Sequence, residues 1–331
     1  MFLLRLFFQY SKLIYLFFFF DNFLVVEDYE IFEQLLNQLY SRYLMSEPSK
    51  HPLFLSEPIW NTKTSRETIA EILFEKYKIP AIYFAKNSML SAFSVGQANA
   101  LVLDSGAHHT TVSVVYSGKV LQNVVIRTPY GGDCITEICR RMFAEKNLEI
   151  IPHFMVKSKE KVEPGKPSKW VKRNGISENL HHSWVNHMIT EEIRDYKETV
   201  LKVLYKKYDT EKAKSISEVV NYEFADGYNI DCSLEDQYFI PEIFFDTNFK
   251  QANNRSYLNG SKGSNQHILP PSISYADLVW KCISNCDIDM RHVILKNIVL
   301  SGGNTLLQGF TQRFVNDLHV ISENKVCLYF V

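Results

Sequence analysis

The chain has 331 residues, more than one hydrophobic core usually fills, so two domains are expected. Hydrophobic residues make up 46% of it, and 36 Lys and Arg against 37 Asp and Glu leave a net charge of −1, which excludes gripping nucleic acid through bulk charge. Six cysteines with no C-x-x-C pair exclude a disulfide scaffold and fit a reducing compartment.

Met1–Leu24 is rich in Phe and Leu but is interrupted by Arg5, Lys12, Asp21 and Asn22. A membrane helix wants about 20 mostly apolar residues, and no small-residue cleavage site is present. The segment reads as a buried stretch or a wrongly predicted first exon in preference to an anchor or signal, and no membrane partner is expected. From Val25 to Tyr43, Phe32, Leu35, Leu36 and Leu39 share one helix face. His51–Trp60, with Pro52 and Pro58, is extended. Thr62–Lys78 is a second amphipathic helix with Ile69, Ile72, Leu73 and Tyr77 inward, followed by Pro80. Ala81–Ala85 is a short buried strand, and Ser88–Ser94 a small-residue helix ended by Gly96.

Ala100–Leu103 is a buried strand closed by Asp104-Ser-Gly106. Thr110–Tyr116 and Val120–Ile126 continue as strands around a Ser117-Gly118 turn. Gly131-Gly132-Asp133 opens a helix through Met142, with Asp133 as its N-cap. Residues 157–182 are basic and polar and read as an exposed loop. Lys157–Arg173 is the nearest thing to a nuclear-import cluster but reads as solvated surface. Trp184–Tyr205 is a long helix with Met188, Ile193, Tyr196, Val200 and Val203 inward. Val219–Ile230 is a hairpin turning near Asp226-Gly227, and Gln251–Gln266 a polar insertion. Asn297–Leu300 is a strand, Ser301-Gly302-Gly303 a tight turn, and Asn304 the cap of a helix with Leu306, Phe310, Phe314 and Leu318 inward. Asn324–Val331 is a final strand. Cys282 and Cys286 have helical spacing but no following His or Cys pair, and His181, His182 and His187 lack nearby carboxylate or Cys partners, so no metal centre is expected at either.

A strand, then Asp-Ser-Gly, then a hairpin is a way to hold phosphate: glycine lets the backbone approach, and successive N–H groups face anionic oxygens. Asp104 at the strand end can hold Mg2+ through water. The strand–Ser301-Gly302-Gly303–helix segment offers a second such surface, aided by a helix N-terminus. Each turn alone is a weak signal; the pair strengthens it.

His51-Pro-Leu-Phe-Leu-Ser-Glu-Pro58, Leu103-Asp-Ser-Gly106, Cys286-Asp-Ile-Asp-Met-Arg291 and Val299-Leu-Ser-Gly-Gly303, in that order, resemble the signature stretches of the actin family. The resemblance runs from Val25 to Val331. It implies the α/β fold shared by actin, Hsp70 and sugar kinases (ribonuclease H-like), two related domains with ATP and Mg between them. It further implies a remnant of the first domain over 25–95, after a leader of doubtful status over 1–24. The second domain covers 96–331, with its insertion at 251–266 and without the C-terminal return helices. A natural truncation and an incomplete gene model both remain open. Met155-Val-Lys-Ser-Lys-Glu160, Ser183-Trp184, Tyr222-Glu-Phe-Ala-Asp-Gly-Tyr228 and Ile240-Pro-Glu-Ile-Phe-Phe245 resemble the actin-related subunits of BAF (SWI/SNF)-, INO80- and TIP60-type chromatin complexes more than conventional actin.

That branch implies a nuclear scaffold. Its partners are nuclear actin, the long helix of a remodeller motor subunit and other chromatin-complex subunits, with DNA or histones reached indirectly. By the same resemblance, Asp104, Ser105 and Gly106 match the second phosphate loop and Ser301, Gly302 and Gly303, with Asn304 next to them, the adenosine-side loop. Arg194, Lys197 and Glu198 match the helix edge that meets the adenosine. The departures are Ala107 where actin has an aspartate, Asn87 where it has the water-placing glutamine, and Leu307 where it has an aromatic residue. Losing a carboxylate and a positioned water removes much of what drives phosphoryl transfer. No catalytic residue is therefore assigned and little or no ATP hydrolysis is expected; the competing expectation is an ATP-hydrolysing or filament-forming actin relative.

Overall fold

The computed structural model describes residues 25–26, 28–176, 180–208, 219–246, 273–322 and 328–330. The leader Met1–Leu24, the polar insertion Gln251–Gln266 and Cys327 lie outside them. The chain divides into two compact units, one of residues 1–98 and 115–122, the other of residues 99–114 and 123–331.

In the first unit, helix α1 (Tyr29–Gln38) is capped by the Asp28 carboxylate, which accepts the Ile31 N–H at 3.0 Å, and continues as a wider π turn over Leu39–Leu44. Strand β1 (Leu53–Glu57) precedes helix α2 (Lys63–Glu71), which is capped by Thr62 and also widens, over Ile72–Lys76. Strand β2 (Ile82–Lys86) then leads directly into α3 (Asn87–Ser94). β1 and β2 pair in parallel from Leu53↔Ile82 to Glu57↔Lys86. Phe32, Leu36 and Tyr40 of the first helical segment meet Ile69, Leu73 and Ile79 of the second in one core, with Leu53, Leu55, Ile82 and Phe84 of the strands packed on it. At the strand ends the buried Glu57 carboxylate takes Lys86 at 2.9 Å, the Arg66 guanidinium and the Asn61 amide at 2.9 Å. Lys86 also donates to the carbonyls of Pro58 and Ile59, both at 3.2 Å. Burial pushes the Glu57 carboxyl up, but these donors outweigh it and hold it below its ordinary value.

The second unit is built on a sheet containing β3 (Ala100–Ser105), β4 (Thr110–Tyr116), β6 (Ile126–Thr128), β11 (Ile298–Ser301) and β12 (Leu328–Phe330). β11 runs parallel to β3 on one side and β12 on the other. Ala100–Leu103 of β3 is fully buried, as a central strand requires. The expected third strand is broken: β5 is only Lys119–Val120, a 3-10 turn spans Gln122–Val124, and β6 then pairs with β4 from Thr110↔Thr128 to Val112↔Ile126.

Helices α4 (Gly132–Glu145), α5 (His182–Val200), α7 (Tyr275–Ser284), α8 (Ile288–Ile294) and α9 (Phe310–Ser322) accompany this sheet, α4 against α5 and α7 against α9. α5 ends five residues before the expected Tyr205, because Leu201 turns extended and Lys202 bridges to Gln308 in place of a further helical turn. The expected loop over 157–182 contains a hairpin, β7 (Val156–Glu160) with β8 (Lys169–Lys172). A second hairpin, β9 (Val220–Glu223) with β10 (Asn229–Cys232), turns at Gly227, φ +87°, and is followed by the short α6 (Leu234–Tyr238). Lys159 Nζ donates to Phe224 O at 3.2 Å and Gly165 N to Asn229 O at 2.9 Å, so the two hairpins brace one another. Edge-on contacts among Phe143, Tyr196, Tyr222 and Phe224 fill the space beneath them. Leu306 does not join the inward stripe of the following helix and is 71% exposed, because α9 begins only at Phe310. Phe310, Phe314 and Leu318 are buried. Among the described residues, no helix is long and apolar enough to cross a membrane.

One buried ion pair closes this unit. Arg313 of α9 is 2% exposed and forks onto Glu242, 1% exposed, at 2.6 and 2.8 Å. It also meets Asp317 at 2.8 Å and the carbonyl of Lys206 at 2.9 Å, with its guanidinium over the Phe245 ring. Removing one partner of such a pair leaves the other charge buried alone. Arg313→Met should therefore lower the urea-unfolding free energy by about 3–5 kcal/mol. Arg313→Met with Glu242→Leu should recover much of that loss.

Candidate functional site

β3 and β11 end side by side, with Asp104 opposite Ser301 as the last pair of their parallel ladder. Both glycine turns therefore leave the sheet at one place, the carboxyl ends of neighbouring parallel strands, where α/β folds bind ligands. Gly302 has φ +93°, and a Cβ there would lie 2.2 Å from Ser105 O and 2.8 Å from an Asp104 carboxylate oxygen. Only glycine lets these turns approach so closely. A third turn joins them. Gly132 N donates to Gly106 O at 2.9 Å and Asp133 N to Ala107 O at 2.8 Å. A Cβ on Gly131 would fall 2.3 Å from Ala107 O.

Ser105 is fully buried, with its hydroxyl 2.9 Å from the Tyr275 hydroxyl and 3.1 Å from that of Thr110. Asn304, expected to cap a helix, lies instead inside a 3-10 turn over Gly303–Leu306. Its amide nitrogen donates to Ser105 Oγ at 3.0 Å and Gly106 O at 2.8 Å. Lys197 turns inward from α5, 7% exposed, and donates to Gly132 O at 3.3 Å. Burial and Arg194 lower its pKa, against the opposing pull of Asp133 and Glu198. Arg194 faces Asp133 at 3.8 Å and pairs with Glu191, while Glu198 stays exposed on the helix. The structure thus gathers Asp104, Ser105, Gly106, Gly302, Asn304 and Lys197 at one place, with Arg194 at its margin. Gly303 borders open space, and Glu198 is exposed on α5 next to Lys197.

Asp133 is not the N-cap of α4; Gly131 holds that position, and Asp133 lies in the first turn. There its carboxylate pairs with His108, a residue that belongs to no sequence motif. The hydrogen bond to Asp133 raises His108 above its ordinary 6.5. Burial pushes Asp133 up, but His108, Arg194 and Lys197 outweigh it and hold it below 3.8. The neighbouring His109 goes the other way: burial, Arg127 and His108 lower it to about 4.

Among the described residues, the N–H groups of Ala107 and His108 meet no acceptor. Two consecutive donors beside a buried lysine and three glycine turns fit an anionic, phosphate-bearing ligand. Burial raises Asp104, which disfavours its ionised form, and the charge of a divalent cation would reverse that preference. Asn87, in the first unit, opens α3, and its side-chain oxygen accepts the Ser88 N–H at 2.9 Å. Cys282 and Cys286 are buried thiols that donate to backbone carbonyls. His181 caps α5 by accepting the Ser183 N–H.

The actin family profile matches residues 24–329. The chain belongs to the actin family. Actin-fold proteins generally bind nucleotide, and the two glycine turns on adjoining strand ends lie on one of this chain's units. Among curated relatives, Actin-related protein 4 of Arabidopsis thaliana is 30% identical over 296 residues, covering 89% of this chain and 64% of that protein. Actin-related protein 4 of Oryza sativa subsp. indica is 32% identical over 296 residues, covering 88% and 63%. The Schizosaccharomyces pombe protein of that name is 29% identical over 304 residues, covering 88% and 69%. The chain thus spans just under two thirds of the length of the plant relatives it matches. It is an actin-related protein.

The shifts of His108 and Asp133 fix a pH window. A raised histidine stabilises fully below 6.5, and its contribution is lost as pH rises through the folded value; a lowered aspartate stabilises fully above 3.8, and its contribution is lost as pH falls. His108→Gln should therefore lower the thermal unfolding midpoint most at about pH 5.5, with the gap from wild type shrinking towards about pH 9. A gap independent of pH would show that the pair does not form.

Proposed function

We propose that this chain acts as a non-hydrolysing, actin-related assembly subunit of a nuclear chromatin-remodelling or histone-acetyltransferase complex. The observation that carries the absence of turnover is Ala107. The position after the Asp-Ser-Gly turn holds no carboxylate, and its carbonyl is tied to the Asp133 N–H. Asn87, whose short amide closes on its own helix start, supports the same reading. With no carboxylate at position 107 to orient water, a phosphate bound at the Ala107–His108 turn is held without being attacked.

The assembly reading is supported by the relatives' name, which sets them apart from conventional actin, and by the stretches that depart from conventional actin. Met155–Glu160 and Tyr222–Tyr228 build the paired hairpins, and Ile240–Phe245 carries the buried Glu242. The expected partners are nuclear actin, the long helix of a remodeller motor subunit and other chromatin-complex subunits, with DNA or histones contacted through them. ATP with Mg is the proposed ligand, held rather than consumed: Lys197 and the Ala107 and His108 N–H groups would face its phosphates, and Asp104 its metal.

Two measurements test the two halves. With saturating MgATP, phosphate release should not exceed the protein-free rate; steady turnover would restore the ATPase reading. A tagged chain recovered from nuclear extract should bring down actin and a remodeller motor subunit, and recovery of neither would overturn the assembly role.

A further inference from the structure

The parallel ladder of β3 and β11 stops at Asp104↔Ser301. Beyond it no sheet hydrogen bond holds the two glycine turns together, yet they lie within contact distance. One side chain bridges them by hydrogen bonds. Asn304 is 6% exposed and commits both hydrogens of its amide nitrogen across the gap, to Ser105 Oγ at 3.0 Å and Gly106 O at 2.8 Å. Gly106 O also accepts Gly132 N at 2.9 Å, so a single carbonyl ties the β3 turn to both the Asn304 turn and the start of α4. The amide oxygen of Asn304 lies 2.6 Å from where a Cβ on Gly132 would be, and Lys197 Nζ lies 3.0 Å from the same point. Gly132 is thus the gap into which Asn304 fits.

A polyphosphate laid across two such turns would tie them by accepting N–H groups from both. Asn304 makes the tie from within the chain. We propose that Asn304 is a positioning residue that holds the two glycine turns in their ligand-ready arrangement whether or not nucleotide is bound. The shape of this unit is thereby uncoupled from nucleotide occupancy. The inference rests on the two turns being the nucleotide seat; it does not depend on which complex the chain joins. It also assigns a reason to the pairing of Asn304 with Gly132: any larger residue at 132 would expel the amide.

Hydrogen exchange on the full chain tests it. In the wild type without nucleotide, the amides of Gly106, Gly132 and Asp133 should be protected and should change less than about twofold on adding MgATP, as a pre-set seat requires. Asn304→Ala, and the near-isosteric Asn304→Asp that removes both donors, should speed exchange at those amides about tenfold or more. The β9–β10 hairpin should be unchanged, and MgATP should restore protection to the variants. Fast exchange of these amides in the ligand-free wild type overturns the proposal. So does an unchanged rate in both variants, or acceleration spread evenly through the unit, which marks general destabilisation. Acceleration confined to the turns but not reversed by MgATP, while the wild type does bind MgATP, overturns the claim that Asn304 does a ligand's tying. Absence of MgATP binding to wild type by calorimetry instead removes the nucleotide-seat reading.

Discussion

The close approach of Gly302 to the Ser105 carbonyl depends on β3 and β11 lying next to each other in parallel and ending at the same level. Parallel neighbours cannot be joined by a tight turn, so residues far apart in sequence must meet there. Once they do, each turn has no room for a side chain against its neighbour, and the polar groups that cluster around them must be satisfied locally. Ser105, Thr110, Tyr275 and Asn304 are the result: a buried hydroxyl and amide network whose members come from four separate stretches of chain. Such a network is stabilising only when fully connected, which makes its members more sensitive to change than the apolar strands they sit on.

Much of this could be read in advance, and the reasons are local. Ala100–Leu103 and Ile298–Leu300 are apolar runs followed within three residues by Gly106 and Gly302, so both strands and both turns follow from composition and backbone chemistry alone. The amphipathic periods of 29–38 and 63–71 likewise mark helices whose inward residues form the core of the first unit. What escaped was set at a distance. The hairpin in 156–172 has a polar, lysine-rich sequence with no alternating apolar face, and its bracing comes from Phe224 and Asn229 more than fifty residues later. Helix α5 stops because Lys202 finds Gln308, a partner no local window contains. Asn304 carries a good capping side chain, but its amide nitrogen is instead held by Ser105 Oγ and by the Gly106 carbonyl just past β3. His108 has no motif at all; only the fold brings Asp133 beside it.

The two adjacent histidines show how sharply the environment changes over one residue. His108 faces the Asp133 carboxylate with Arg194 nearby, whereas His109 is buried near Arg127. The acceptor-less N–H groups lie on Ala107 and His108, so the anion-facing turn carries one histidine that favours charge and is followed by one that resists it. The arrangement is compatible with retaining a phosphate and supplies no carboxylate at Ala107 to orient water against it. In the proposed reading, binding without turnover is a matter of which side chain follows the glycine, while the glycine geometry itself is kept.

The charge cluster at the end of β1 and β2 has a further consequence. Glu57 and Lys86 are directly paired across the two strands and close onto one another and onto Arg66. Sliding β2 by a single residue would set Asn87 or Ala85 opposite Glu57 and turn Phe84 away from its core. A buried carboxylate would lose its amine in the same step. The cluster therefore fixes the alignment of a two-stranded parallel pair that has few ladder bonds with which to resist slippage, and it does so from inside the unit.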